Sequence, residues 1–468
     1  MRIYEINTRA HCSCFDEITV SELDGLARLG FDAIWLMGVW QISDGATRIS
    51  KIVSEDLEGS PFAVCDYVVS PALGGEIQFS ALVDRAHKAG LLVIVDFVSN
   101  HMALDSPWIN EDPRLFVTSQ PGARRQAIRE FFLHPSGQLV AFGRDPYFEP
   151  WYDTAQLDYT NPELRERMMA VLKRIAKLAD GVRCDMAMLL LRDYIRDQWY
   201  PNADGQWFDE RMPGEFWAEA INATKASKPG FLFIAEAYWD KELELLNLGF
   251  DLAYEKQLYD GLVARDLARV TERLARTLQA LSCSLNFIEN HDEPRAAEVL
   301  SREFNVAAAA LMLSLPGATL IHEGQMEGKR ERLPVQRLKP LVEEPVDHAL
   351  QAEYRQLLEI TSMGVFQTGS FALFDAGAPG VVSFIRQTAG RTVMYAGRIS
   401  DASPRFASVS LEVSAVGRLL DSPHQLRARN MITSQSKLIY EQDGQLRLDL
   451  LSLVPDDSEY CLLDVTSD

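Results

Sequence analysis

The sequence predicts an α/β fold in which eight strands alternate with helices and close into a (β/α)8 TIM barrel. Three observations carry that prediction. Strand-like and helix-like segments alternate over roughly the first 360 of the 468 residues. Several of the strand segments are almost wholly apolar, as strands covered on both faces are. No glycine-rich turn follows the first strand, which argues against the open doubly wound sheet that shares this alternation.

Residues 3–8 read as the first strand, 20–29 as the helix after it and 33–39 as the second strand. A helical run over 80–89 stops at Gly90, a suitable C-terminal cap, before the apolar third strand at 91–98. Asn161-Pro162-Glu163 opens a helix that runs to Ala179, with asparagine as the cap and proline at the first helical position. The fourth strand is 181–187, followed by a helix at 215–225 and the fifth strand at 231–237. The sixth strand is expected within 250–259, with its helix at 264–280. Strands at 284–289 and 318–322 flank a helical run at 305–315, and a helix at 347–361 closes the series.

Two regions break the alternation. Residues 102–160 lie between the third strand and its helix and are rich in Pro, Trp and Phe, which suggests an insertion or lid. After about residue 365 the pattern turns to short alternating runs, such as Val381-Val382-Ser383-Phe384-Ile385, which predict a C-terminal antiparallel β domain. The expected division is a barrel of residues 1–101 and 161–364, an insertion at 102–160 and a β domain at 365–468.

Lys and Arg number 46 against 67 Asp and Glu, a formal charge of −21. That disfavours nucleic acid and anionic membranes as partners and fits a soluble protein with a neutral substrate. No apolar stretch approaches the roughly 20 residues of a membrane span. The first residues read as a strand, not as a signal peptide. The cysteines, at 12, 14, 65, 184, 283 and 461, are scattered. They point to free thiols and a cytoplasmic location.

Chemistry in such a barrel collects where strands end. The third strand ends Asp96-Phe97-Val98-Ser99-Asn100-His101, the fourth Arg183-Cys184-Asp185, the fifth Phe233-Ile234-Ala235-Glu236. The seventh ends Asn290-His291-Asp292-Glu293-Pro294-Arg295. Burying unpaired charge costs several kcal/mol per ion, so apolar strands that finish in ionisable groups point to a shared site. Arg183 and Asp185, two apart in a strand, face the same way. An Arg-x-Asp pair is more often structural, but a carboxylate kept ionised by arginine also suits a nucleophile. Glu236, followed by Tyr238 and Trp239, has the apolar and aromatic setting that raises a carboxyl pKa and suits a proton donor. Such a pair is what retaining glycoside cleavage needs. Asp292, His101 and His291 are then candidates for holding sugar hydroxyls.

These four strand ends resemble the signature regions of the α-amylase family, glycoside hydrolase family 13, in kind and in order. The resemblance implies a barrel with an insertion after the third strand and a C-terminal β domain. It makes Asp185 the nucleophile, Glu236 the acid/base and Asp292 the stabiliser of the transition state. It places Arg183, His101 and His291 at the subsite of the attacked glucose and Asp96 as a structural partner of Arg183. Phe62, in Ser60-Pro61-Phe62-Ala63-Val64-Cys65-Asp66-Tyr67, stands where the family has a sugar-stacking tyrosine, and Asp66 and Arg295 are further substrate-binding candidates.

Other positions depart from the family pattern. Met188 and Leu189 replace a Lys-His pair that lines the acceptor side in many starch amylases. Trp239 is a candidate sugar platform, as are Trp40 and Trp151, although most tryptophans serve the core. Asn100 matches a calcium ligand of many members, with Asp153 and Asp158 as candidate partners, and the chemistry itself requires no cofactor. Lys329, Arg330 and Arg332 form a basic run read mainly as a solvated loop.

The implied activity is retaining hydrolysis of α-glucans or α-glucosides, in particular α-1,4-linked maltooligosaccharides. The alternative is a transglycosylase or isomerase of trehalose-synthase type. A non-catalytic carbohydrate-binding barrel and a metal-using barrel enzyme are rivals from other classes.

Overall fold

Apolar segments capped by turn residues give the expected barrel. In the computed structural model, which describes residues 1–119, 129–401, 405–419 and 426–467, eight parallel strands form a closed barrel. They are β1 (Arg2–Asn7), β2 (Ala33–Met37), β3 (Leu92–Val98), β4 (Gly181–Asp185), β5 (Leu232–Ala235), β6 (Leu252–Tyr254), β7 (Ser284–Asn286) and β8 (Ala318–His322). Each neighbours the strands before and after it in sequence, and β8 closes on β1. Residues of β2 through β5 are buried almost without exception, which is why they read as continuous apolar runs.

Local signals place the helices. Thr19 accepts from the Glu22 amide at the start of Val20–Arg28, and Asn161 accepts from the Glu163 amide ahead of Pro162–Leu178. Gly90 ends Gly75–Ala89 in the left-handed conformation, φ 86°. One expected helix is broken. Residues 264–280 divide into Leu267–Leu274 and Leu278–Ser282, because Asp266 and Thr277 each cap a new start by accepting from an amide three residues on. The sixth strand is also shorter than expected, and its second half is the helix Lys256–Val263. A helix at Asp44–Val53 and the strand pair Trp40–Ile42 with Val64–Val69 add structure after β2 that the sequence reading did not place.

Two compact units divide the chain. One comprises Tyr4–Tyr254 and Leu333–Leu341, the other Met1–Ile3, Glu255–Arg332 and Val342–Asp468. In the first, β4 lies between β3 and β5, with Arg183 opposite Asp96 on one side and Ile234 on the other. The insertion leaves β3 through the strand His101–Ala103, which pairs antiparallel with Thr154–Gln156. Part of the predicted insertion, residues 120–128, lies outside the described residues. In the second unit, β9 (Ser370–Phe374), β10 (Val381–Thr388), β11 (Arg391–Arg398), β12 (Leu426–Asn430), β13 (Ser436–Leu438) and β14 (Tyr460–Ser467) form an antiparallel sheet ordered β9-β10-β11-β14-β12-β13. Its apolar face buries Ile385, Met394, Ala428 and Leu463 in one cluster. The alternating run at 381–385 noted in the sequence falls on β10.

Gly181 begins β4 where no side chain fits. A Cβ there would stand 2.8 Å from Leu232 Cβ and 2.9 Å from the Leu232 carbonyl oxygen, so β5 would have to shift. Gly181→Ala is expected to lower stability by about 1–3 kcal/mol, measured by urea unfolding.

Candidate active site

In the first unit the ionisable groups converge on one guanidinium. Arg183 is 1% exposed. Its Nη1 donates to Asp185 Oδ1 at 2.7 Å, Nη2 lies 2.6 Å from Glu236 Oε1, and Nε donates to Tyr254 Oη at 3.2 Å. The rings of Trp35, Phe62 and Tyr254 surround it at 5.2, 5.3 and 5.6 Å. Burial opposes its charge, but Glu236, Tyr254, Asp185 and Asp96 outweigh burial and hold its pKa above the ordinary arginine value. The sequence reading gave Arg183 to Asp185, with Asp96 as a further partner, and left Glu236 in an apolar and aromatic setting. The structure corrects this: Arg183 spans both carboxylates, and Glu236 is richly hydrogen-bonded.

The backbone after each carboxylate is strained. Met186, next to Asp185, has φ 44°. That turn aims its amide at Glu236, donating to Oε2 at 2.6 Å. Tyr238 Oη donates to Glu236 Oε1 at 2.9 Å. Trp239 and Asp240, just beyond, have φ 57° and 58°. Non-glycine residues in this region cost about 1–3 kcal/mol each and cluster at functional sites. Neither Met186 nor Tyr254 was singled out from sequence.

Asp96 accepts from Trp35 Nε1 at 3.0 Å and the Gly38 amide at 2.7 Å, and its carbonyl accepts from Trp40 Nε1. It is a buried anchor beside Arg183, and Trp40 is core. Asp66, a substrate-binding candidate, accepts on Oδ1 from Trp108 Nε1 and from the Tyr67 amide, bonds that fasten the insertion. Met188 and Leu189 are buried in the 3-10 turn Ala187–Leu190. They present no polar group in place of the family's lysine and histidine. Trp151 packs on His101 with ring centroids 4.9 Å apart.

In the second unit, β7 leads to a loop held by Asn290, whose Oδ1 accepts from the amides of Asp292 and Glu293. His291 Nε2 lies 3.0 Å from Asp292 Oδ2, with the histidine buried and the carboxylate 47% exposed. Arg332, from the basic run, donates to the Asp292 carbonyl. Arg295, a substrate-binding candidate, is engaged within the fold. Its guanidinium meets Glu289 at 2.7 Å, His322 Nδ1 at 2.8 Å and the carbonyls of Glu323 and Glu331, which ties the loop after β7 to the end of β8.

The model of the α-amylase catalytic domain matches residues 18–344. The chain belongs to the α-amylase family. That family is one of glycoside hydrolases, and its barrel with a C-terminal antiparallel sheet is the fold seen here. Among curated relatives, an α-amylase of Haloarcula japonica is 28% identical over 70% of this chain and 44% of its own length. A probable oligo-1,6-glucosidase of Bacillus subtilis is 24% identical over 66% of this chain and 60% of its own. A trehalose synthase/amylase of Mycobacterium tuberculosis is 30% identical over 36% of this chain and 28% of its own. The chain thus spans about half the length of the curated relatives it matches. A solved maltogenic α-amylase of Thermotoga neapolitana shares the fold at TM-score 0.73 and 21% identity, covering 99% of this chain and 98% of the other.

Calcium, which the family resemblance leaves possible at Asn100, would meet donors that are already engaged with one another there. Gln156 Nε2 donates to both the Asn100 carbonyl and Oδ1 at 2.9 Å, and Asn100 Nδ2 donates back to Gln156 Oε1 at 3.2 Å. Asp158 is spent on Thr160, and burial raises the carboxyl pKa of Asp153. Among the described residues no group of three or more His, Cys, Asp or Glu side chains is arranged for a metal ion. Calcium takes six to eight oxygens, several of them carboxylate. Calcium addition or EDTA is therefore expected to move the thermal midpoint by no more than about 1 °C, checked by calorimetry.

His101 is held neutral. Burial lowers its pKa from 6.5 to about 4, against the pull of Asp153 and a hydrogen bond with the Phe62 backbone. Between those values the unfolded chain takes up a proton that the folded chain refuses. Stability is therefore lost as pH falls from 6.5 to 4, by on the order of 3 kcal/mol. His101→Gln is expected to flatten this part of the stability profile, measured as thermal midpoints at pH 7 and pH 4.5.

Proposed function

We propose that this protein is a retaining glycosidase that cleaves α-glucans or α-glucosides, α-1,4-linked maltooligosaccharides above all, by double displacement. One observation carries the reading: a single buried guanidinium grips both Asp185 and Glu236. Carboxyls held by one such group are close together. That suits the pair about 5–5.5 Å apart of retaining enzymes better than the wider pair that leaves room for a water.

In the first step Asp185 attacks the anomeric carbon while Glu236 protonates the departing glycosidic oxygen. The bond to the leaving sugar breaks as the Asp185–carbon bond forms, which gives a β-glycosyl-enzyme. In the second step Glu236 takes a proton from the incoming hydroxyl, which attacks the same carbon and frees Asp185. The Met186 amide and Tyr238 hydroxyl orient Glu236 throughout. Arg183 pairs with Asp185 and holds it in line. His101, whose pKa burial lowers to about 4, offers a ring N–H to a sugar hydroxyl. By family resemblance Asp292 and His291 engage the same glucose, and Asp292 stabilises the charge that develops on it.

Water as the acceptor makes the protein a hydrolase, and a sugar hydroxyl makes it a transglycosylase or isomerase. The trehalose synthase/amylase relative favours keeping the second reading, as do the apolar Met188 and Leu189 on the acceptor side. The six free cysteines fit a reducing compartment such as the cytoplasm, and among the described residues no helix is long and apolar enough to cross a membrane.

Asp185→Asn is expected to cut turnover of an aryl α-glucoside by at least about 10³-fold while leaving the thermal midpoint near that of the parent. Unchanged turnover would refute the assignment and revive a non-catalytic sugar-binding barrel.

A further inference from the structure

Beyond Glu236 the first unit carries a run of aromatic rings that the reaction at the attacked sugar does not use. Tyr238, hydrogen-bonded to Glu236, has its ring 6.3 Å from that of Trp239. Trp239 in turn meets Tyr147 of the insertion edge-on at 4.7 Å and Tyr194 of the helix Arg192–Trp199 in a stacked arrangement at 5.8 Å. Tyr147 is 63% exposed. The two tyrosines line a groove of about 640 Å³, whose other walls include Arg144, Asp193, Asp197 and Lys241. That volume lies within the range of small-molecule sites, about 300–1,000 Å³.

The chemistry of the lining selects its occupant. Exposed aromatic faces favour the apolar faces of pyranose rings. The charges are mixed and locally paired: Arg144 with Glu130, Lys241 with Glu244, and both Asp193 and Asp197 with Arg196. Such a rim offers hydrogen bonds to hydroxyls without the one-signed field that draws an anion. The strained backbone at Trp239 and Asp240 fixes the ring that links the groove to the proton donor. Glu236 protonates the leaving oxygen, so what lies beyond it on this side meets the leaving part of the substrate.

We propose that this groove binds the leaving-group segment of a linear, uncharged α-glucan several glucose units long. Chain-length preference is then set by Tyr147 and Tyr194 and not by Met188 and Leu189. The proposal rests on the assignment of Glu236 as proton donor. The groove also holds a cleaved oligosaccharide beside the glycosyl-enzyme, where its free hydroxyl competes with water for the second step.

Calorimetric titration of the full-length Glu236→Gln protein with maltoheptaose and with maltose tests it. Maltoheptaose is expected to bind roughly tenfold tighter or more, and Tyr147→Ala added to that protein is expected to remove most of the difference. Asp193→Arg, an exposed change that fills the groove without touching the aromatic packing, is expected to do the same. Equal affinities for the two sugars would overturn the proposal, as would a preference that survives both changes in folded protein. Turnover of an aryl α-glucoside by the unaltered enzyme separates the two ideas. Turnover with equal affinities sinks the groove alone, and a groove-dependent preference without turnover sinks the glycosidase reading and with it the leaving-group role, leaving the groove a glucan-binding site.

Discussion

A buried arginine with carboxylates on two of its nitrogens is the contact on which the site depends. Removing a guanidinium from water is costly unless every side of it is answered. Here Asp185 and Glu236 answer the charge, Tyr254 takes the third donor, and aromatic rings fill the rest of the shell. Each answering group comes from a different strand or strand end. The contact therefore fixes β4, β5 and β6 as much as the strands fix the contact. Asp96, opposite Arg183 on β3, extends the same grip to Trp35 and the Gly38 amide, and so to β2 and the turn after it.

Much of this was legible in the sequence, for a simple reason. Apolar strands that end in Asp, Glu, His or Arg stand out because such endings are expensive unless shared. That signal drew attention to Asp185 and Glu236, which the structure brings onto one guanidinium, and to His101 and Asp292, while the alternation of strand and helix carried the fold class. Tyr254 escaped because a tyrosine ending an apolar strand looks like core. Met186 escaped because its contribution is a backbone amide in a left-handed turn, and residue type does not report that conformation. Arg295 looked like a ligand-binding arginine because its partners, Glu289 and His322, come from separate segments. The division of labour between Arg183 and the two carboxylates was misjudged for a related reason. Strand alternation shows which side chains share a face within one strand, while Glu236 reaches Arg183 from the neighbouring one.

The helix break at residues 264–280 and the roles of Met188 and Leu189 carry a common lesson. Periodicity suggested one long helix, yet Asp266 and Thr277 offered side-chain oxygens to the backbone, and local capping won over the apolar pattern. At Met188 and Leu189 the departure from the family pointed to the acceptor side. The described geometry moves attention along the chain to Tyr194 and across to the insertion.

The insertion's root is fastened by Asn100 and Gln156, two neutral amides that close on each other. Amides do not titrate, and no chelator competes for them. A joint held by an ion loosens when the ion is scarce and tightens when it is plentiful, which makes such a protein answer to its surroundings. This joint is complete once the chain has folded. The geometry of the insertion's root is thus written into two neutral side chains of the chain itself.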